Sequence, residues 1–225
     1  MKHITFYLDF ISPYAYLAFE QLPQALEGVS YSVRYRPVLF AAMLKHHGQL
    51  GPAEIAPKRD WTYRQVLWLA HTLGIDMAMP SAHPFNPLPL LRLAMACSPP
   101  AHPVPFNGAP NRYVCETIFR HVWRAGAAGD MPLDAADPDR FLALAQHLAP
   151  PRDAQSDAVK ALLTQSTHQA IAEGVFGVPA FVVDDKVFWG LDSLPMLRAY
   201  LEDDAWFSGA DWDAAVRVGA GVRRQ

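Results

Sequence analysis

The chain has 225 residues, of which 51% are hydrophobic and 18% charged, with a formal net charge of −3. That charge gives no reason to expect a nucleic acid or an anionic membrane surface as partner, and no apolar run is long enough to span a bilayer. Met1-Lys2-His3 runs straight into a strand pattern, so no signal peptide is expected and the protein reads as soluble and cytoplasmic.

Ile4, Phe6, Leu8 and Phe10 alternate with Thr5, Tyr7 and Asp9. Nearly all are apolar, which predicts a strand buried on both faces. Ser12 is then placed to cap a helix, with Pro13 at its first position, where a missing N–H costs nothing. Tyr14, Leu17, Ala18 and Leu22 continue at helical spacing, and Gly28 ends the segment. Ser12 has a second meaning beside the cap: a hydroxyl at a helix N-terminus can donate to a bound anion, including a thiolate, beside the positive end of the helix dipole.

Tyr31, Val33 and Tyr35 alternate through a second strand to Pro37. From Leu39 to about Ala172 the pattern is helical and punctuated by proline. Tyr63, Val66, Leu67, Ala70 and Leu73 mark a helix that stops at Gly74; further helices are expected before Cys97 and around 111–125, 138–148 and 155–173. Ser98 to Pro110 is rich in proline and expected to be exposed. Cys97 and Cys115 each share a helical face with apolar residues and read as small core residues, not redox centres. The nine histidines show no ligand spacing, so no metal is expected; the absence of Gly-x-Gly-x-x-Gly argues against a nucleotide cofactor.

A second informative stretch is Gly174-Val175-Phe176-Gly177-Val178-Pro179. It precedes a short apolar strand, a turn at Asp184-Asp185-Lys186, a second strand Val187-Phe188-Trp189, and a helix beginning near Ser193. A proline, a β-hairpin and a helix in that order resemble the C-terminal half of a thioredoxin-like fold. There the proline is usually cis, and the backbone of the residue before it pairs with a thiol-bearing ligand as an added strand.

Asp-Phe-x-Ser-Pro-Tyr-x-Tyr-Leu near residue 10, Gly-Val-Phe-Gly-Val-Pro near 175 and Phe-Trp-Gly-x-Asp near 190 together resemble the 2-hydroxychromene-2-carboxylate isomerases. These are relatives of the kappa-class glutathione transferases within the DsbA-like group, and the resemblance covers roughly residues 3–205. It implies an α/β, thioredoxin-like fold with a helical insertion. Residues 1–38 and 174–205 would form the thioredoxin-like domain, 39–173 the inserted helical domain and 206–225 a C-terminal tail. A thiol oxidoreductase of this fold carries Cys-x-x-Cys where this chain has Ser12-Pro13-Tyr14-Ala15, so any thiol at the site comes with a ligand, and glutathione is the candidate.

The resemblance also implies roles by position. Ser12 would stabilise the thiolate. Val178 and Pro179, with Trp189, Gly190, Leu191 and Asp192, would hold glutathione, Asp192 taking its γ-glutamyl ammonium; capping the following helix is the alternative for Asp192. Pro52-Ala53-Glu54-Ile55-Ala56-Pro57-Lys58-Arg59 resembles a family segment before a Lys-Arg pair. Lys58 would help hold glutathione or the acidic substrate, and Lys45, Gln49, Arg59 and Asn86 would face that substrate. Relatives commonly have asparagine where this chain has Gln49, and Asn86 serves equally as a cap before Pro87. The implied activity is a glutathione-dependent isomerisation of 2-hydroxychromene-2-carboxylate in aromatic hydrocarbon breakdown, by reversible thiolate addition. The implied partners are glutathione and a small aromatic carboxylate, and the implied state is a homodimer. A kappa-like glutathione transferase or peroxidase, and a non-catalytic thiol- or peptide-binding module, are the alternatives.

Overall fold

In a computed structural model, the structure describes residues 1–99, 108–125, 132–217, 219 and 221. Strand β1 (Lys2–Leu8) leads through a turn into helix α1 (Pro13–Ala25), and β2 (Tyr31–Pro37) returns beside β1. Helices α2 (Phe40–His46), α3 (Ala56–Leu73), α4 (Leu88–Ala96), α5 (Arg112–Trp123), α6 (Pro138–Leu148) and α7 (Asp157–Ala172) follow. Strands β3 (Ala180–Val183) and β4 (Lys186–Trp189), helix α8 (Leu194–Leu201) and a short α9 (Ala210–Ala215) complete the described chain. The sheet order is β2-β1-β3-β4, with β1 parallel to β2 and antiparallel to β3, and β3 antiparallel to β4. This mixed sheet with its helices is the α/β, DsbA-like thioredoxin fold expected from the motifs.

The alternation along β1 divides the core. Ile4, Phe6 and Leu8 join the larger hydrophobic cluster with α1, α4 and α5, whereas Tyr7 joins a smaller one with Met43, Val175, Val178 and Val182. Successive side chains point to opposite faces of a strand, so one apolar strand serves two layers. Phe6 lies 4.6 Å from Phe181 and 6.0 Å from Tyr35, ring centre to ring centre, and Phe119 of α5 sits 4.9 Å from Phe10 and 5.2 Å from Phe19. Each such fully buried ring contributes about 1.5–3 kcal/mol relative to exposure. Helix α5 thus packs directly on α1 and on the turn that feeds it.

Cys115 is buried and Cys97 half-buried. Burial pushes the Cys97 thiol up to about 11 and that of Cys115 further up, so both stay protonated and act as packing residues. The first helix stops at Ala25, short of Gly28, which takes φ +84° in the turn that follows. The helix expected near Ser193 starts at Leu194, after a 3₁₀ turn over Leu191–Ser193. The segment from residue 206 begins with ordered aromatic packing: Phe207 and Trp212 lie 6.0 and 6.2 Å from Phe188. Of the proline-rich stretch, residues 100–107 lie outside the described residues. Among the described residues, no helix is long and apolar enough to cross a membrane.

Candidate active site

The site is built where β1 ends. Ser12 caps α1: its Oγ accepts from the Ala15 N–H at 3.2 Å, and its carbonyl accepts from Tyr16. Pro13 has no N–H to offer, so the Tyr14 N–H is the donor of this first turn left without a partner among the described residues. The Ser12 hydroxyl, 7% exposed, also donates to the Val178 carbonyl at 3.5 Å, a long and easily surrendered bond. Two stretches 166 residues apart in sequence therefore meet at one corner.

The Val178–Pro179 peptide is cis, as the motif implied. The sheet ladder begins only at Ala180, so Val178 stands outside it, and its N–H has no hydrogen-bond partner among the described residues. The Pro179 carbonyl accepts from the Gly190 N–H at 2.9 Å, which ties Gly190-Leu191-Asp192 to the same corner. Gly177 lies under the Trp189 indole: a Cβ there would fall 2.7 Å from Nε1. Gly190, at φ +96°, has a backbone conformation that side chains rarely adopt. Trp189 is 53% exposed and lies 4.9 Å from Phe176, also exposed. Asp192 is exposed and its carboxylate makes no hydrogen bond among the described residues; the N-cap position of α8 is Ser193, whose hydroxyl donates to the Gly190 carbonyl. Burial raises the pKa of the Tyr14 phenol, and the nearby Asp192 carboxylate adds to that effect.

The turn is held from beneath by groups the motifs did not single out. Asp9 is fully buried, accepting from the Ile11 N–H at 3.1 Å through Oδ1 and from the Phe40 N–H at 2.9 Å through Oδ2. One carboxyl group thus joins the Ser12 turn to the first residue of α2. Burial pushes its pKa up to about 7, against the pull of those N–H donors. His83 donates from Nε2 to the Ile11 carbonyl at 2.8 Å, and its Nδ1 lies 2.8 Å from the Tyr63 hydroxyl. Burial lowers the His83 pKa, which favours the neutral ring with the proton on Nε2. The Trp123 indole donates to the Phe10 carbonyl at 2.9 Å. The sequence did carry one signal for this support: Asp9 is the lone acid at the end of an apolar strand, and an acid buried there needs partners.

The residues expected on the substrate side are not brought together in the same way. Lys58 and Arg59 sit in the first turn of α3, which is tied to the site by Tyr14, donating to Gln65 at 2.6 Å, and by Tyr63. Lys58 is exposed, with no ion pair among the described residues; Arg59 has a neighbour in Asp60 at 3.8 Å. Asn86 uses its Oδ1 to accept from the Leu88 N–H at 3.1 Å, the capping alternative. Gln49 is exposed, with no side-chain hydrogen bond among the described residues. Lys45 lines a cavity of about 580 Å³ with Arg92, Lys160 and His168 over Leu39, Leu163 and Ile171. None of Ser12, Val178, Lys58, Arg59 or Asn86 lines that cavity, so its size does not make it the centre of the chemistry. Among the described residues, no group of His, Cys, Asp and Glu side chains is arranged to hold a metal ion.

The family model for the DSBA-like thioredoxin domain matches residues 3–202. A 2-hydroxychromene-2-carboxylate isomerase of Sphingobium xenophagum is 28% identical over 211 residues, covering 90% of this chain and 99% of the relative. A glutathione S-transferase kappa 2 of Caenorhabditis elegans is 22% identical, covering 90% and 92%. The solved structure of a 2-hydroxychromene-2-carboxylate isomerase superposes with a TM-score of 0.72 at 22% identity, covering 93% of this chain and 98% of that one.

Proposed function

Because this chain belongs to the DsbA-like thioredoxin domain family, we propose that it is a glutathione-dependent isomerase acting on 2-hydroxychromene-2-carboxylate or a close aromatic analogue. The observation that carries the proposal is the Ser12–Val178 corner: a hydroxyl and a free Tyr14 N–H at a helix N-terminus, facing a peptide edge outside the sheet ladder, with no cysteine. The residues present fit glutathione. The Val178 N–H and carbonyl suit pairing with an extended peptide, Gly190 lets the Asp192 carboxylate lie against its backbone where a side chain would collide with it, and that carboxylate, without a hydrogen bond among the described residues, suits an ammonium.

Glutathione supplies a thiolate nucleophile whose reversible addition to a conjugated carbon allows ring opening and rotation. The chain's part is electrostatic. The Ser12 hydroxyl exchanges its long bond to Val178 for one to the ligand's sulfur, and the Tyr14 N–H and the helix dipole add positive potential there. Together they favour thiolate over a thiol whose ordinary pKa is about 8.5. Asp9 and His83 hold the turn so that these donors are already oriented. Lys58 and Arg59, at the positive end of α3, hold the substrate's carboxylate, Arg59 in a bidentate pair and Lys58 as a point charge. Lys45, Gln49 and Asn86 have a lesser part, since Asn86 is engaged in its cap and Lys45 faces the other cavity. In this proposal the protein works in the cytoplasm as a homodimer, within aromatic hydrocarbon breakdown.

A kappa-like transferase is the second reading, favoured by similarity to the nematode kappa enzyme. One assay separates the two: absorbance of 2-hydroxychromene-2-carboxylate with and without glutathione, with free thiol counted before and after. Turnover that needs glutathione and consumes none is the expected result. Thiol loss matching product overturns the isomerase in favour of a transferase. Glutathione binding without turnover on any such acid leaves a binding module.

A further inference from the structure

Helices α2, α4 and α7 border the cavity of about 580 Å³, and its lining residues all lie on those helices or at Leu39, the residue that precedes α2. Along α7, Lys160, Leu163, Thr164, Thr167, His168 and Ile171 recur at intervals of three and four, which is one face of a helix. The floor is apolar because it lies on a seam of the core. Leu163 is buried in the larger hydrophobic cluster, Leu39 and Leu88 pack on that cluster, and Ile171 packs on the smaller one. The threonine hydroxyls are already engaged. Thr164 and Thr167 each donate at 3.0 Å, to the Lys160 and Leu163 carbonyls, and Thr167 accepts from the Leu39 N–H at 3.0 Å. The floor therefore offers apolar surface and no free hydroxyl proton.

The charged part of the lining is of one sign. Lys45, Arg92 and Lys160 line the cavity, and no Asp or Glu does. Among the described residues, Lys45 has no ion pair and Arg92 donates to the neutral Gln155 amide oxygen at 3.2 Å. Lys160 pairs with Asp157 at 3.3 Å, but that carboxylate stands fully in water, where such a pair is weak. Long cationic side chains lay their stems on apolar surface and keep their heads toward water. The charges thus gather over an apolar floor. His46 and His168 also line the cavity, and an imidazole has an N–H to donate to an anion in either protonation state.

We propose that this cavity binds one hydrophobic monocarboxylate, of the class of bicyclic aryl acids and medium-chain alkyl acids. Its apolar body would lie over Leu39, Leu163 and Ile171, and its carboxylate among Lys45, Arg92 and Lys160. An apolar pocket with a few polar groups is the usual form of a small-molecule site, and the volume falls in the usual range of about 300–1,000 Å³. The ammonium and guanidinium groups supply charge-assisted donors to a carboxylate. An inorganic anion would leave the apolar floor in water, and a neutral apolar molecule would leave the cations unmatched. The cavity meets the Ser12 corner only at second hand: Leu39 precedes Phe40, whose N–H donates to Asp9. Binding here is therefore independent of the isomerase chemistry.

The test uses the full chain at fixed ionic strength, with 2-naphthoate as the aryl probe and octanoate as the alkyl probe. Acetate lacks the apolar body, and 2-naphthol and 1-octanol lack the carboxylate. Binding is measured by calorimetry and thermal unfolding. The expected result is saturable binding of one acid molecule per chain, with a rise in Tm of about 3 °C or more. It should be about tenfold or more tighter than for the matching alcohol, and acetate should have no effect. Whichever acid responds names the body, aryl or alkyl. Ala42→Phe fills the floor and Lys45→Glu reverses the charge of one wall, and each should abolish binding in a folded protein. Lys58→Ala and Arg59→Ala, outside the cavity, should leave it unchanged. No binding of either acid overturns the proposal, as do alcohols that bind as well as the acids. So does binding kept in full by Lys45→Glu or by a folded Ala42→Phe, or binding lost in Lys58→Ala or Arg59→Ala, which would place the acid at α3 instead.

Discussion

The Ser12–Val178 corner and the cationic start of α3 differ in how they are held. At the corner, Asp9, His83 and Trp123 grip the backbone just before Ser12, at Phe10 and Ile11, and tie it to Phe40 through hydrogen bonds of 2.8–3.1 Å, and the supporting groups are buried or partly buried. At α3, among the described residues, Lys58 is exposed and unpaired and Arg59 has one long ion pair, with Asp60. A group that must meet developing charge at a fixed point gains from being oriented beforehand. A group that gathers an anion from water acts through its charge and tolerates movement. In the proposed isomerase, rigid chemistry and adaptable recognition would thus be divided between the two halves of the site.

The sharpest break of that contrast is Ser12→Ala. In the proposed isomerase it should lower kcat/KM by about 10²–10³-fold and raise the thiol pKa of bound glutathione, read from thiolate absorbance. The lost cap should cost only about 1 kcal/mol in denaturant unfolding. Unchanged turnover and an unchanged thiol pKa would remove Ser12 from the chemistry.

Asp9→Asn tests the support itself. An amide cannot accept from both the Ile11 and Phe40 N–H groups, so stability should fall by about 1–3 kcal/mol. The pH dependence carries a second signature. The folded carboxyl is raised from 3.8 to about 7, so between those values the folded state keeps a proton that the unfolded chain has released. Asp9's contribution is therefore full below about pH 4 and is lost as pH rises toward 7. Unfolding free energies measured from pH 4 to 8 should fall across that window in the parent and flatten in Asp9→Asn.

Gly177→Ala probes the wall beside Val178. The new methyl would meet the Trp189 indole, which must tilt, at about 1–2 kcal/mol. Glutathione affinity should fall with it, while Tm changes by only a few degrees. The smallest effects belong to α3. Lys58→Ala and Arg59→Ala should each raise KM for the acidic substrate about 2–5-fold, more at low salt than at high, with stability within about 0.5 kcal/mol of the parent. A large loss of stability in either would show that α3's cations are as firmly built in as the Ser12 turn, and the contrast would fail.

The elements of the corner were legible because each is written locally. Alternation over Ile4 to Phe10, a serine before a proline at a helix start, and Val-Pro before an apolar hairpin are short-range patterns, and the structure bears out the strands and helix they predict. The capping roles of Ser12 and Asn86 were equally readable, since each bonds an N–H two or three residues away. The supporting shell was less so. His83 reaches Ile11 across 72 residues and Asp9 reaches Phe40 across 31, and no periodicity marks such pairs.

The amino-acid sequence by itself determined the strand and helix that present Ser12, the replacement of both oxidoreductase cysteines and the proline beside Val178, because backbone preference and binary pattern act over a few residues. Only the tertiary structure decided that Asp9 and His83 brace the turn, that Lys45 faces a different cavity, and that Arg34, Arg36 and Arg152 converge. Those groups come from positions up to 118 apart in the chain, brought together by which faces of β1, β2 and α7 must be buried; what each group does to its neighbour's charge follows from that burial.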